Sequence, residues 1–582
     1  MILLIIVVPL WAQTSVQVAP PTLPSAGYDT QAEVGEPADT SGYTRVTVPT
    51  VSDGLTNGTA LQTAITAASC GTVLLLTPGA VYDGGTKGLQ LPAKNCPSGR
   101  WVVIRSAAPD AQLPAAGVRI APSYAAQLPR IVTSQANVAA IKLGVASNNY
   151  LLEFLDIGLN TTALQGKDSS AALIDIGDGT YGNSCLECKP ADEPTNIVVD
   201  RDLIRGSDTP PIGIRRGVDM ACSRCAVINS YVDQIHEIGF DSQAIEGWNS
   251  TGPWLVDNSF LEAAAENLMV GGAPSNMGQN PSDLTITHNY FYKPMSWDPN
   301  DPSYAGNNWS IKNLLELKSG VRVLVEGNVF QNCWTSGQSG RAIAINPAGD
   351  ENLPWVTDSD LTIAYNKFDN TQGFVEPGDV IGGPAGVEPT RIAIHDNLAT
   401  NQGAGAGFDL LGISDDATGT MGVTSNVEIA HNTVLLSLSA PHVASSGFEF
   451  ESLVAAGETP LPNWDIRNNI FERGTYGVHA NCSVAGLTVP CFTAEAWLNN
   501  MVYDTAAGGG VDWCSLTNAS TIYAVHAAAC PVADVAAVGF VNAAGGDFHL
   551  ATTSPGYRKA TDGSDVGANI DLLNTATAGV AP

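Results

Sequence analysis

A chain of 582 residues with 57 acidic against 26 basic side chains carries a formal net charge of −31, a field that repels nucleic-acid phosphates and anionic lipid. With 44% hydrophobic residues, 14% charged residues and 59 glycines, the composition excludes a disordered chain and reads as β-rich and globular. Length alone would permit several domains, but repeat architectures grow as one unit.

Residues 1–12, MILLIIVVPLWA, are apolar and run into polar QTSVQ. This is the pattern of a secretory signal, too short to span a bilayer. Residues 13–45 are rich in Pro, Ser, Thr and Gly without apolar periodicity and read as a linker. Residues 46–135 read as an N-terminal cap and first coils: TALQTAITAA at 59–68 has helical spacing, and CGTVLLLTPG and WVVIRS follow as strands. Eleven cysteines fit an oxidising compartment. Proximity pairs Cys70 with Cys96, Cys482 with Cys491 and Cys514 with Cys530, leaving Cys333 over. Cys185, Cys188, Cys222 and Cys225 form two CxxC pairs, open to a four-thiolate zinc site or, in an exported protein, to disulfides linking those turns.

From about residue 196 a pattern recurs: alternating apolar residues, a polar residue or two, then Asn or Asp and an apolar or aromatic residue. IVVDRDLI, AVINSYV, WLVDNSF, LTITHNYF, VLVEGNVF and LTIAYNKF are early copies. The markers run from Asp202 through Asn229, Asn258, Asn289, Asn328, Asn366, Asn397, Asn432 and Asn469 to Asn500, at unequal gaps of 27 to 39 residues. Short strands with variable connections and an Asn at each turn are what a stacked parallel β-solenoid requires, since Asn accepts left-handed backbone and its amide can bond the next coil.

On these repeats, on the entry helix before TVLLLTPG and on the closing GGDFHLATTSPGYRKATDGSDVGA, residues 55–550 resemble the right-handed parallel β-helix proteins of the pectate-lyase-like superfamily. DSQAIEGWN, AENLMVGG and NLLELKSGVRVLVEGNVF resemble a group of secreted bacterial β-helix proteins. The resemblance implies an all-β, single-stranded right-handed parallel β-helix over residues 136–545, a C-terminal cap over 546–582, and an extracytoplasmic monomer.

The stretch from Asp241 to Asn346 holds five of the eleven tryptophans, five of the 26 basic residues and two long insertions, so loops on a rigid scaffold concentrate there. If Phe240, Leu268, Leu315 and Leu317 point inward, strand alternation sends Asp241, Gln243, Asn267, Glu316 and Lys318 to one outer face, laddered at about 4.8 Å. Exposed indoles of Trp248, Trp297, Trp309 and Trp334 could stack on sugar rings, although core filling competes for about half of the tryptophans in this stretch. Gln243, Asn267, Lys312 and Arg322 would take hydroxyls or carboxylates. The expected partner is a polysaccharide.

Two reactions suit such a groove. β-Elimination on a uronate needs a base and a cation that neutralises the carboxylate, roles open to Lys318 and Arg341 beside Glu316. LKSGVRVLVEGNVF is similar to the Lys-Ser segment of the chondroitinase-B and alginate-lyase family, in which that Lys is the base, and Lys318 is the matching position. The sequence departs from that family where its calcium-binding acids stand, since Asn313 and Ile311 fall there, and Ile345 stands at the family's Arg. Calcium remains possible as a cofactor. Glycoside hydrolysis would instead use two carboxylates, drawn from Asp241, Glu266 and Glu316 on successive coils. A non-catalytic surface or glycan-binding β-helix is the alternative from another class.

Overall fold

The computed structural model describes residues 18–24 and 40–582, apart from positions 98, 166 and 339 and the segments 348–352, 378–385, 403–407, 412–423, 436–447, 452–461, 473–477, 481–494, 504–528 and 533–534. The expected pairings of Cys482 with Cys491 and of Cys514 with Cys530 lie outside the described side chains.

Three long parallel sheets run the length of the molecule, with fourteen, fourteen and twelve strands. Each sheet takes its strands in simple sequence order, coil after coil. This is a single-stranded parallel β-helix. Sheet A begins at Thr44–Thr47, sheet B at Val81–Asp83 and sheet C at Leu89–Leu91. One coil passes from A through a tight turn to B, through a variable loop to C, and back to A. A helix at Gly54–Ala67 closes the N-terminal end, with Asp53 accepting the Thr56 amide at 2.9 Å as its cap and with Leu61 and Ile65 buried. No helix among the described residues is long and apolar enough to cross a membrane.

Inside, apolar side chains stack coil upon coil. Ile245, Leu268, Leu315 and Ile343 make one such column on sheet C. Phe291, Phe330 and Phe368 stack on sheet B with ring centroids 4.4 and 4.7 Å apart. Each such aromatic contributes about 2–3 kcal/mol by burial.

The turn from A to B sets the register. Asn328 accepts from the Asn289 backbone amide at 2.8 Å, and Asn366 from the Asn328 amide at 2.9 Å. The ladder continues through Asn397, Asn432, Asn469 and Asn500. Each carboxamide also donates back to a strand carbonyl, as Asn366 does to Val325 at 2.9 Å. Two details differ from the sequence reading. The left-handed residue is the one before each ladder position, including Arg201, His288, Gly327, Tyr365 and Asp396, because the ladder side chain must turn inward. Upstream, the ladder passes through Ser230 and Ser259, while Asn229 and Asn258 take the left-handed positions.

The cysteine expectations are partly corrected. Cys70 pairs with Cys96 and Cys333 is free and buried. Cys185 pairs with Cys188 and Cys222 with Cys225, so each disulfide closes within its own CxxC instead of linking the two turns, and no thiolate of the four remains for zinc. Phe240, expected inward, is 52% exposed beneath the Arg215 guanidinium. The strand begins later, at Gln243, and Ile245 takes the inward place.

Asn366→Ala removes the acceptor for the Asn328 amide and leaves the Val325 carbonyl unpaired. Because both groups are buried, the expected loss is about 3 kcal/mol in urea unfolding. A loss below about 1 kcal/mol would show that the ladder does not hold the stack.

Candidate functional site

On the outer face of sheet C the backbone register aligns one side chain per coil. Lys142, Asp175, Asp219, Glu246, Met269, Glu316 and Ala344 succeed one another, each between two inward apolar residues. Two residues upstream of the inward column lie Arg216, Gln243, Glu266, Asn313 and Arg341. The loop entering sheet C between Tyr292 and Leu315 is the longest of this region and walls one side.

Glu266 and Glu316 lie at the centre, with side chains 0% and 1% exposed. Gln243 donates Nε2 to Glu266 Oε2 at 2.7 Å, and Lys312 Nζ stands 3.6 Å from Glu266 Oε1. Lys312 also donates to Asp241 at 2.5 Å, and Asp241 is about half exposed at the rim. Lys318 Nζ is 3.5 Å from Glu316 Oε1 and keeps 24% of its side chain open to solvent. Burial, followed by the charge of Glu316, pushes the Glu266 carboxyl up to about 8. At neutral pH Glu266 therefore holds a proton.

Lys293, fully buried, supports the same bend from beneath. Its Nζ donates to the carbonyls of Ala263, Ala264 and Ala265 and to Asn267 Oδ1, all within 2.9 Å. Burial lowers its ammonium to about 8, against the pull of Cys333, Glu266 and Glu262.

Other expected residues are placed differently. Asn267 is fully buried, donating to the Leu261 and Tyr292 carbonyls, so it fixes the bend instead of facing the groove. Arg341 is nearly buried and donates to the Gln372 carbonyl at 2.9 Å. Arg322 lies on sheet A, forked onto Asp283 at 2.7 and 2.8 Å. Trp297, Trp309 and Trp334 pack into a buried cluster with Ala264 and Ile311, because the long insertion folds back over its own coil. The ring of buried His236 stacks on Trp309 at 3.8 Å and its Nε2 meets Asp208 at 2.6 Å. Trp248 alone of the four is partly exposed, its Nε1 3.4 Å from the Gly179 carbonyl.

Glu246, Arg216 and His236 were not anticipated. Glu246 is signalled by the alternation in QAIEG once Ile245, and not Phe240, is set inward. Among the described residues no group of three or more His, Cys, Asp or Glu is arranged to hold a metal ion. Glu266, Glu316 and Asp241 are each engaged by a lysine, so this donor set does not fit calcium.

No family model and no curated protein matches the chain. Among solved structures it is similar to a PL6 family alginate lyase, AlyGC, with 12% identity and a TM-score of 0.40 over 80% of this chain and 53% of that one, so the chain spans about half of that protein. A mannuronic acid specific family 6 polysaccharide lyase from human gut microbiota matches with 14% identity and a TM-score of 0.42, over 82% of this chain and 88% of that one. The catalytic domain of a GH87 α-1,3-glucanase in complex with nigerose matches with 14% identity and a TM-score of 0.39, over 85% and 68% respectively. Likenesses at this level say nothing of a shared substrate.

The folded protein retains a proton on Glu266 between 4.5, its ordinary value, and about 8, while the unfolded chain has lost it. The contribution of this group to stability therefore falls as pH rises through that window. Glu266→Gln is expected to be more stabilising near the upper end of the window than near the lower end, read as urea midpoints at both. Equal shifts at the two ends would contradict the buried, shared proton.

Proposed function

We propose that the protein is an exported enzyme that cleaves a uronate-containing polysaccharide by β-elimination in the groove on sheet C, with Lys318 as the base. The observation that carries the reading is Lys318 itself: a partly exposed amine, 3.5 Å from Glu316, in a groove whose second lysine, Lys312, stands at the Asp241 rim.

In this reading Lys318 acts as the base that removes the proton next to the uronate carboxylate, a carbon–carbon double bond forms, and the glycosidic C–O bond on the neighbouring carbon breaks. The proton on Lys318, or one from water, goes to the departing oxygen. Lys312 and Asp241 at the rim meet the sugar, with Trp248 further along the groove. Buried Glu316 holds Lys318 in place. Direct hydrolysis at Glu266 and Glu316 is disfavoured by their burial, since neither carboxyl has room for a sugar beside it. Export is supported by the apolar start of the sequence and by three disulfides among the described residues.

Purified protein incubated with polygalacturonate and alginate is expected to yield unsaturated uronate ends, read by their ultraviolet absorbance. Lys318→Ala is expected to lower that rate by about 100-fold or more while the protein remains folded by circular dichroism at the assay temperature. Retained activity in the variant would remove Lys318 from the role of base. Absence of any cleavage by the unaltered protein would favour a display or binding role.

A further inference from the structure

The outer column of sheet C carries a second set of ionisable groups, three to five coils before Glu316, that the elimination chemistry does not use. Asp175 and Asp219 stand directly opposite each other on adjacent parallel strands, which lie about 4.8 Å apart. Lys142 Nζ holds Asp175 Oδ2 at 2.6 Å and the Gly177 carbonyl at 2.7 Å, and Asp175 keeps 27% of its side chain in solvent. Asp219 is partly exposed, yet its Oδ1 is sealed from solvent without a hydrogen-bond partner. Arg216, on the same strand as Asp219, pairs with Glu246 on the next coil.

The loop that follows Asp175 shapes the other wall. Asp178 accepts from the Thr180 amide and hydroxyl and from the Leu186 amide, and the Cys185–Cys188 disulfide closes the loop. Between those cysteines, Glu187 is fully buried. Its Oε2 accepts the Asp178 amide at 2.9 Å and its Oε1 has no partner. Burial pushes this carboxyl up to about 9, with Glu193, Asp178 and Asp219 adding to the rise. Trp248 flanks the site, with the Arg216 guanidinium 5.9 Å from its ring. Burial and then the Asp175 charge raise Asp219 to about 7. Burial also raises Asp175, against the pull of Lys142.

We propose that Asp175 and Asp219 form a second catalytic centre in the same groove, a carboxyl pair that hydrolyses a glycosidic bond with retention. The spacing of adjacent strands matches the separation of about 5 Å used by retaining pairs. Asp175, held by Lys142, attacks the anomeric carbon while Asp219 gives a proton to the departing glycosidic oxygen, leaving a glycosyl ester on Asp175 and a free sugar hydroxyl. Water, losing its proton to Asp219, then attacks the anomeric carbon and releases Asp175.

The test uses Lys318→Ala protein with polygalacturonate, alginate and xylan, measuring reducing ends and unsaturated ends together. Unsaturated ends report Lys318 and reducing ends without them report the carboxyl pair, so either can fail alone. Reducing ends are expected without unsaturated ends on at least one substrate, falling by about 100-fold or more on adding Asp175→Asn or Asp219→Asn, with unchanged thermal midpoints. Azide is expected to restore turnover to Asp175→Ala protein, and methanol added to protein with both aspartates intact to give methyl glycosides, readouts that a merely structural role would not move. No reducing ends from the Lys318→Ala protein on all three substrates overturns the proposal. So does release undiminished by both Asp→Asn changes, or an absence of both azide rescue and methyl glycosides.

Discussion

The structure depends on one repeated contact, the carboxamide of each ladder Asn accepting the backbone amide of the Asn one coil before. From Asn289 to Asn500 this contact recurs at 2.8 to 3.1 Å. It satisfies buried backbone groups at the one turn too tight to satisfy them otherwise. It also forbids slippage, because a coil displaced by one residue would lose its ladder bonds and turn its apolar set outward. Loops elsewhere can then vary in length without disturbing the stack.

A fixed stack turns distant sequence positions into neighbours. Lys142 and Glu316 are far apart in the chain but belong to one outer column of sheet C, and chemistry is assembled across coils. Much of that column is charged and poorly solvated, which costs stability. Glu266 meets the cost by holding a proton, Asp175 by its lysine, and Lys293 by four oxygen acceptors. A core of apolar columns with stacked phenylalanines can carry such groups, and perturbed carboxyls on an open face are the kind of feature that catalysis employs.

The fold was legible because its strongest constraint is written in residue identity: Asn at the turn, apolar alternation on either side. Where Ser230 and Ser259 replace Asn in the ladder, the pattern of NS and NSF misled by one residue, since the hydroxyl performs the same bond. The site was legible in part. Glu316, Lys318, Glu266, Gln243, Lys312 and Asp241 do come together. The tryptophans did not behave as expected, because an insertion can bury its own aromatic residues, and nothing in local sequence says which way such a loop folds. Lys142, Asp175 and Asp219 escaped notice for a different reason. They precede or interrupt the clear Asn repeat, and their partnership exists through the register of sheet C alone.

The most direct measurement is a crystal structure of the Lys318→Ala protein soaked with an oligouronate. The account predicts a chain lying along the outer column of sheet C, successive sugars on successive coils, with a glycosidic bond at position 318. An oligosaccharide seated on sheet A or sheet B, or running across the coils away from Glu316, would contradict it.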